Sequence, residues 1–446
     1  MSEISTKPPS GMRDFLAPDV ARRRHVLSVV QRVYESFGFQ PLETPTIENL
    51  STLLGKYGPE GDQLLYRILH RRERLQRALA TGTPTELDLS DEGLRYDLTV
   101  PLARVVANYR DLPAFYKRYQ IQPVWRADRP AKGRFREFYQ CDVDITGTTS
   151  VIADAEVMGA VASVLKELGF AEFSILVNHR ELLRAFVTAA GIEAEHEAPA
   201  LIALDKLDKI GRDGVLQELA QKGFGDGRGE ALLRGLEQAR EPGALARMAS
   251  ENGPFQKPAQ SLQELLAVAK DGPAGAHAVF DPTLARGLSY YTGPIFEISC
   301  QGLSGSMGGG GRYDNLIGMF QKKPVPAVGF SLGLERVLLV MEERSMFPPL
   351  GIGPQVLLCR MSDVPADAAI RVASQMRAQG LRVEIYADSA NMGKMLTYAN
   401  TIGAPFAAIL GASELAQGTL AMKCLKSGEQ AAVPVADASV FVSKRS

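Results

Sequence analysis

The 446-residue chain has few cysteines and no close spacing among them: Cys141, Cys300, Cys359 and Cys424 form no CxxC pair and no Cys/His cluster. That speaks against a structural zinc site, whose ligands come in short-spaced pairs, and no metal ligand is assigned. Four reduced thiols, as in a cytosolic protein, are the expectation. Long apolar runs are also missing, so no transmembrane helix is expected. The opening MSEISTKPPSGMRDFLAP lacks the apolar stretch of a secretory signal, which points to a cytoplasmic location. Charge of one sign is lacking too. Fifty Lys/Arg against 51 Asp/Glu leave a net charge of -1, so bulk electrostatic binding of nucleic acid is excluded, whereas a local basic strip is not. Histidine is scarce and scattered: His25, His70, His179, His196 and His277 read as surface or hydrogen-bonded structural residues. What remains is a globular composition, 45% hydrophobic and 23% charged, long enough for two or three domains.

Apolar residues recur at helical spacing from Asp19 to Phe37, and Gly38 ends that helix. Phe39 to Leu42 reads as a strand closed by Thr44-Pro45. Two strands, Phe115 to Tyr119 and Phe138 to Ile145, flank a long Arg-rich connection, and a loop of that length in a compact domain is usually functional. Residues from about 181 to 274 turn rich in Ala, Leu, Glu and Lys and read as a helical insertion. Strand patterning returns at Ala278-Val279-Phe280 and Ile295 to Ser299 and leads into Gly308 to Gly311, which alone reads as a hairpin turn. Leu332 to Met341 reads as a buried helix. A linker, Phe347 to Pro354, precedes alternating strands and helices that indicate a small α/β domain.

The chemistry concentrates between Lys117 and Arg136, where seven Lys/Arg stand against one acid, Asp128. Arginine grips phosphate through a planar, permanently charged fork. A basic run alone would read as a solvated hairpin tip. The strand that follows changes the reading, because period-two alternation puts Gln140, Asp142 and Asp144 on one face. A polar strand face beside a basic loop suits a polar ligand better than a core.

Trp125 to Phe138 resembles motif 2 of the class II aminoacyl-tRNA synthetases, and the helix with Phe39 to Pro45 resembles their motif 1, a dimer-interface element. Gly329-Phe330-Ser331-Leu332-Gly333-Leu334-Glu335-Arg336 resembles motif 3. Leu284 to Gly293, with the pair Tyr290-Tyr291, and Gly309-Gly310-Gly311-Arg312-Tyr313-Asp314 look like the two histidine-specific motifs of the histidyl-tRNA synthetases. Arg95 to Pro101 and two C-terminal stretches also match, so the likeness spans nearly the whole chain. It implies an α/β chain. Its catalytic domain, residues 1–345, would carry an antiparallel class II sheet and the insertion, and residues 354–446 would form an α/β anticodon-binding domain.

The same resemblance implies the chemistry. Histidine is activated with ATP to histidyl-adenylate and passed to the 3' end of tRNA(His), with Mg2+ on the outer phosphates and a homodimer as the working unit. Arg126 and Arg286 would hold the α-phosphate as the catalytic pair. Asp128, Arg134 and Arg336 would join Arg126 at ATP, with Arg336 on the adenine. Asp97 with Thr99 would meet the histidine ammonium, Asp144 and Tyr291 the imidazole nitrogens, Gln140 and Tyr290 would line the pocket, and Leu98, Arg126 and Arg286 would also belong to the histidine site. Ser289 stands where many members have Asp, and no role is carried onto it. Asp97 and Asp144 stand where many bacterial members have Glu. The stretch from about 65 to 86 is longer than expected and reads as a solvated surface helix. The C-terminal part, with nine Lys/Arg and seven Asp/Glu from Pro354 onward, would read bases by shape and stacking rather than by bulk charge. The competing reading is a non-catalytic, synthetase-like histidine-binding regulatory subunit. Such paralogues lose catalytic arginines, whereas Arg126, Arg286 and Arg336 are all present here.

Overall fold

The computed structural model describes residues 4–57, 61–286, 290–303, 305–388 and 390–445. Gly287, Leu288 and Ser289, part of the first histidine-type motif, lie outside the described residues. The chain divides into two compact units, Met1–Asp14 with Arg22–Phe347 and Phe15–Ala21 with Pro348–Ser446.

The first unit is built on an eight-stranded sheet. Its strands are β1 (Gln40–Pro41), β5 (Tyr116–Trp125), β6 (Glu137–Thr146), β7 (Phe173–His179), β8 (Ala278–Phe280), β9 (Pro294–Cys300), β10 (Gly308–Arg312) and β11 (Ala327–Gly333). The order across the sheet is β1-β5-β6-β11-β10-β9-β7-β8. All pairings are antiparallel except the two edges, β1 with β5 and β7 with β8. Strands β2 (Ile47–Asn49), β3 (Arg67–Ile68) and β4 (Glu92–Leu94) form a separate small sheet.

Alternation along β6 decides which face does what. Cys141, Val143 and Ile145 point into the main core, where helix Ala17–Ser36 contributes Val26, Val30, Val33 and Tyr34 and helix Val151–Glu167 contributes Val157, Met158 and Val161. Gln140, Asp142 and Asp144 face the other way, yet they too are buried. A smaller apolar cluster on Leu50, Leu53, Val100, Tyr313 and Ile317, with Tyr57, Tyr96, Tyr290 and Tyr291 packed against it, walls part of that polar face.

Several elements differ from the sequence reading. The antiparallel pair is ten residues on each side, so Trp125 belongs to a strand and the loop shrinks to 126–136. The glycine run is no hairpin turn but the central strand β10, paired on both sides. Leu332 and Gly333 end β11, and the helix begins at Leu334. Strand β7 and helix Val151–Glu167 had no counterpart in the reading. The insertion is helical from Arg180–Ala189 to Gln256–Lys270. Helix Arg72–Leu79 in the extra stretch buries none of its residues, as a solvated helix should.

The second unit holds β12 (Val356–Arg360), β13 (Val383–Ile385), β14 (Phe406–Leu410), β15 (Thr419–Cys424) and β16 (Gln430–Pro434) in the order β13-β12-β14-β15-β16. β12, β13 and β14 are parallel, joined through helices Ala366–Ala378 and Met392–Thr401, and β15 and β16 complete a mixed sheet, β15 antiparallel to β14 and β16 antiparallel to β15.

Candidate active site

Strand register builds the floor of the cleft row by row. One row runs Arg118, Asp144, Gly329, Gly311 from β5 to β10, and the next runs Gln120, Asp142, Ser331, Gly309, Glu297 from β5 to β9. Glycine holds the middle of these rows because side chains from elsewhere need the space. A Cβ on Gly329 would lie 1.9 Å from Asp144 Oδ1, one on Gly309 2.6 Å from Arg286 Nη1, and one on Gly311 3.0 Å from Tyr291 Cδ1. No shift of a flexible tip relieves the first of these, since Asp144 is itself buried.

The floor is charged and dry. Arg118, at 0% exposure, sets Nη2 2.9 Å from Asp144 Oδ2 and donates to Leu98 O at 3.1 Å. The approach to Asp144 Oδ2 is an ion pair rather than an aligned hydrogen bond, and that oxygen receives no hydrogen bond. Tyr313 donates its hydroxyl hydrogen to Asp144 Oδ1. Burial raises the Asp144 carboxyl above the usual range, against the pull of Arg118 and Tyr313. Asp142 is pushed up to about 7 by burial, with Arg118 opposing and Asp144 adding to the rise. Ten buried side-chain atoms among the described residues have no hydrogen-bond partner. Six of them belong to this floor: Arg118 Nε and Nη1, Gln120 Oε1, Gln140 Oε1, Asp142 Oδ1 and Asp144 Oδ2. Buried polar atoms are nearly always satisfied, so this concentration marks a place where a ligand supplies the partners.

Asp97 stands at one end, 4% exposed, and its Oδ1 accepts from Tyr57 Oη at 3.1 Å and from Val100 N–H at 3.0 Å. Burial raises its carboxyl, while the Val100 amide and the Arg126 charge hold it down. Leu98 is fully buried, and Thr99 opens helix Thr99–Asn108. Arg126 donates Nε to Tyr96 O at 3.1 Å, and its guanidinium lies 4.3 Å from the Tyr96 ring centroid and 5.1 Å from that of Phe138. Gln140 donates to Ser331 Oγ at 2.9 Å. The rings of Tyr290 and Tyr291 meet edge-on at 4.7 Å, and burial raises both hydroxyls.

The rim is cationic. Arg286 pairs with Glu297 and reaches Ser306 Oγ at 3.4 Å. Arg134 pairs with Asp128 at 2.7 Å. Partial burial depresses the Arg336 guanidinium, and the charges of Arg286 and Arg134 depress it further. The rim thus gathers three guanidinium groups, two of which, Arg286 and Arg134, are held by Glu297 and Asp128, a density of cations suited to phosphate oxygens.

Of the residues singled out from sequence, Asp97, Arg126, Tyr290, Tyr291, Asp144 and Arg286 are linked by successive electrostatic interactions, and Arg336 feels both Arg286 and Arg134. The count of seven basic residues overstated the basic loop. Lys117 donates to Phe37 O at 2.6 Å and to Glu156 at 2.7 Å, and Arg118 is the buried counter-charge of the floor. Sequence reasoning missed Arg118, Tyr57, Tyr96 and Tyr313 as site residues. Tyr313 lay inside the glycine-rich motif, and strand phase would have placed Arg118 on the face of Asp144. Arg95, within a matched motif, is structural: it ties Thr44 O at 2.6 Å and Gln122 Oε1 at 3.0 Å to Pro123 O at 2.9 Å.

An antiparallel sheet with an acidic floor under a rim of arginines is the catalytic architecture of a class II aminoacyl-tRNA synthetase. The family model described as histidyl-tRNA synthetase matches residues 11–337, and the one described as anticodon binding domain matches residues 355–445. The chain belongs to the histidyl-tRNA synthetase family. It is 41% identical to a histidine–tRNA ligase of Cytophaga hutchinsonii, covering 95% of this chain and 96% of that one. It is also 41% identical to one of Porphyromonas gingivalis, over 98% of each. The crystal structure of histidyl-tRNA synthetase from a Nostoc species superposes with a TM-score of 0.78 at 28% identity, covering 100% of both chains.

Proposed function

We propose that this cleft carries out, with the residues named below, the ATP-dependent joining of histidine to tRNA that defines the family. The observation that carries the assignment is the set of unsatisfied acceptors on the floor, Gln120 Oε1, Gln140 Oε1, Asp142 Oδ1 and Asp144 Oδ2, beside the Arg286, Arg134 and Arg336 cluster. Acceptors without donors call for a ligand rich in N–H groups, and histidine offers an ammonium and an imidazole. A floor of this kind rejects ring isosteres that lack nitrogen, because its own buried groups would then go unpaired. The cations call for a phosphate chain.

In the first step the histidine carboxylate attacks the α-phosphorus of ATP and pyrophosphate leaves. Arg126 and Arg286 flank the α-phosphate and stabilise the charge that builds there. Asp128 holds Arg134 for the outer phosphates, and Arg336 lies on the adenine. Asp97, with Thr99, takes the histidine ammonium, Leu98, Gln140 and Tyr290 line the pocket, and Asp144 and Tyr291 face the ring. Asp128 and Glu297, the carboxylates of the rim, are already paired with arginines. Mg2+, a hard cation, would therefore be held mainly by the β- and γ-phosphate oxygens, where it neutralises charge. In the second step a ribose hydroxyl of tRNA attacks the adenylate carbonyl, the bond from that carbonyl to the phosphate oxygen breaks so that AMP leaves, and an adenylate phosphate oxygen accepts the proton. Residues 1–345, with the insertion at about 181–274, are assigned to catalysis and 354–446 to the anticodon. The working unit is a homodimer in the cytoplasm. Among the described residues no helix is long and apolar enough to cross a membrane.

The test is Arg286→Ala. Adenylate formation should fall by about 10²–10³-fold, the loss typical of removing a transition-state donor, with the fold retained. Near-normal pyrophosphate exchange in that variant would remove Arg286 from its role. The regulatory-subunit reading would instead require histidine binding without any exchange in the parent chain.

A further inference from the structure

Asp142 is counted above among the acceptors of the floor but is given no partner of its own, although it lies at the centre of the site. It is 2% exposed on the face of β6 between Gln140 and Asp144. Its register neighbours are Gln120 on β5 and Ser331 on β11. Every group that faces it belongs to the cleft: Arg118, Asp144, Asp97 and Ser331 all act on its carboxyl, and Asp142 in turn acts on the Tyr291 hydroxyl. Its Oδ1 is buried without a hydrogen-bond partner.

Asp142 accepts a hydrogen bond from Ser331, and the neighbouring carboxylates are held by other partners. Asp144 takes the Tyr313 hydroxyl on Oδ1 and faces Arg118 at 2.9 Å on Oδ2. Asp97 spends Oδ1 on Tyr57 and Val100 and stands at the ammonium end. A core role for Asp142 is a poor fit. A buried carboxylate with an empty oxygen costs stability, and a residue of the same shape without charge would avoid that cost.

Resting on the histidine-activating reading above, we propose that Asp142 is a second ring-recognition carboxylate, accepting an imidazole N–H of the bound histidine on Oδ1. Arg118 supplies the counter-charge for both carboxylates of the floor; burial raises the protonation range of Asp142, with Arg118 opposing and Asp144 adding to the rise. Histidine brings the missing donor: the proton that Asp142 gives up passes to the ring, which as imidazolium offers one N–H to Asp142 and the other to Asp144.

The test compares the parent chain with Asp142→Asn. Histidine Kd should rise about 10- to 100-fold, the range for losing a hydrogen bond to a charged group, while ATP Kd stays within about twofold. The 15N shifts of ring-labelled histidine, measured at saturating ligand, should differ between the two proteins. An unchanged histidine Kd would overturn the inference. So would equal weakening of histidine and ATP, which is the mark of a purely structural role. Weaker histidine binding with identical ring 15N shifts would assign Asp142 to the ammonium and overturn the ring contact. Should Asp142→Asn fail to fold, Asp142→Ser is read the same way. Failure of the parent chain to activate histidine would sink the underlying reading itself, so the two failures are distinguishable.

Discussion

The two larger sheets of this chain are each buried on both faces, but they fill those faces with different chemistry. In the second unit both faces of β12 and β14 are apolar. Val356, Leu358, Phe406 and Leu410 enter one cluster, and Leu357, Cys359 and Ala407 enter the other. In the first unit β6 gives Cys141, Val143 and Ile145 to the core and turns Gln140, Asp142 and Asp144 to a floor with six unsatisfied polar atoms. A sheet buried for stability alone has no use for the second arrangement, since each unpaired group costs free energy. Burial without satisfaction therefore marks the site more sharply than burial or polarity alone.

The comparison can be broken at the counter-charge first. Arg118→Met should destabilise the first unit by about 3–5 kcal/mol, because it strands buried carboxylates without a cation. The loss should shrink at pH 5, where those carboxyls, already raised, take up protons; denaturant unfolding at pH 8 and pH 5 reads both. Equal losses at the two pH values would mean the pair is not the source. In the second unit Leu358→Ala should cost about 3 kcal/mol through a cavity and leave histidine activation by intact protein unchanged. A fall in histidine-dependent exchange under native conditions would erase the contrast between the sheets.

A smaller effect sharpens the comparison at His179, which caps helix Arg180–Ala189 by accepting the Glu181 N–H at 3.1 Å. Burial lowers its pKa to about 4, below the ~6.5 of an unfolded histidine. The folded state then binds fewer protons than the unfolded state between these values. Its stability contribution is complete above about pH 6.5 and is lost as pH falls toward 4, by at most about 3 kcal/mol. His179→Asn, which keeps a capping group, should flatten that part of the stability profile. An unaltered slope would show that His179 does not set it.

Much of this was legible in the sequence because strand alternation is local. The phase of Gln140, Asp142 and Asp144 needed only their spacing, and helix Ala17–Ser36 declared itself through Val26, Val30, Val33 and Tyr34. The parallel strands of the second unit were readable as short apolar runs. What escaped depended on partners distant in sequence. Arg118 looked like one more basic residue of a loop until β5 paired it with Asp144. The glycines of β10 looked like a turn, because nothing nearby in sequence shows that Arg286 and Tyr291 fill the space above them. β7 was hidden for a similar reason: its pattern is short, and both of its neighbours, β8 and β9, lie beyond the insertion.

The measurement that tests the central claim most directly is ATP–pyrophosphate exchange by the intact chain, run with each standard amino acid in turn. Exchange with histidine alone is the predicted result, since the acceptor-rich floor and the arginine rim are read as one site for histidine and ATP together. Exchange with another amino acid, or none with histidine despite its binding, would contradict the account.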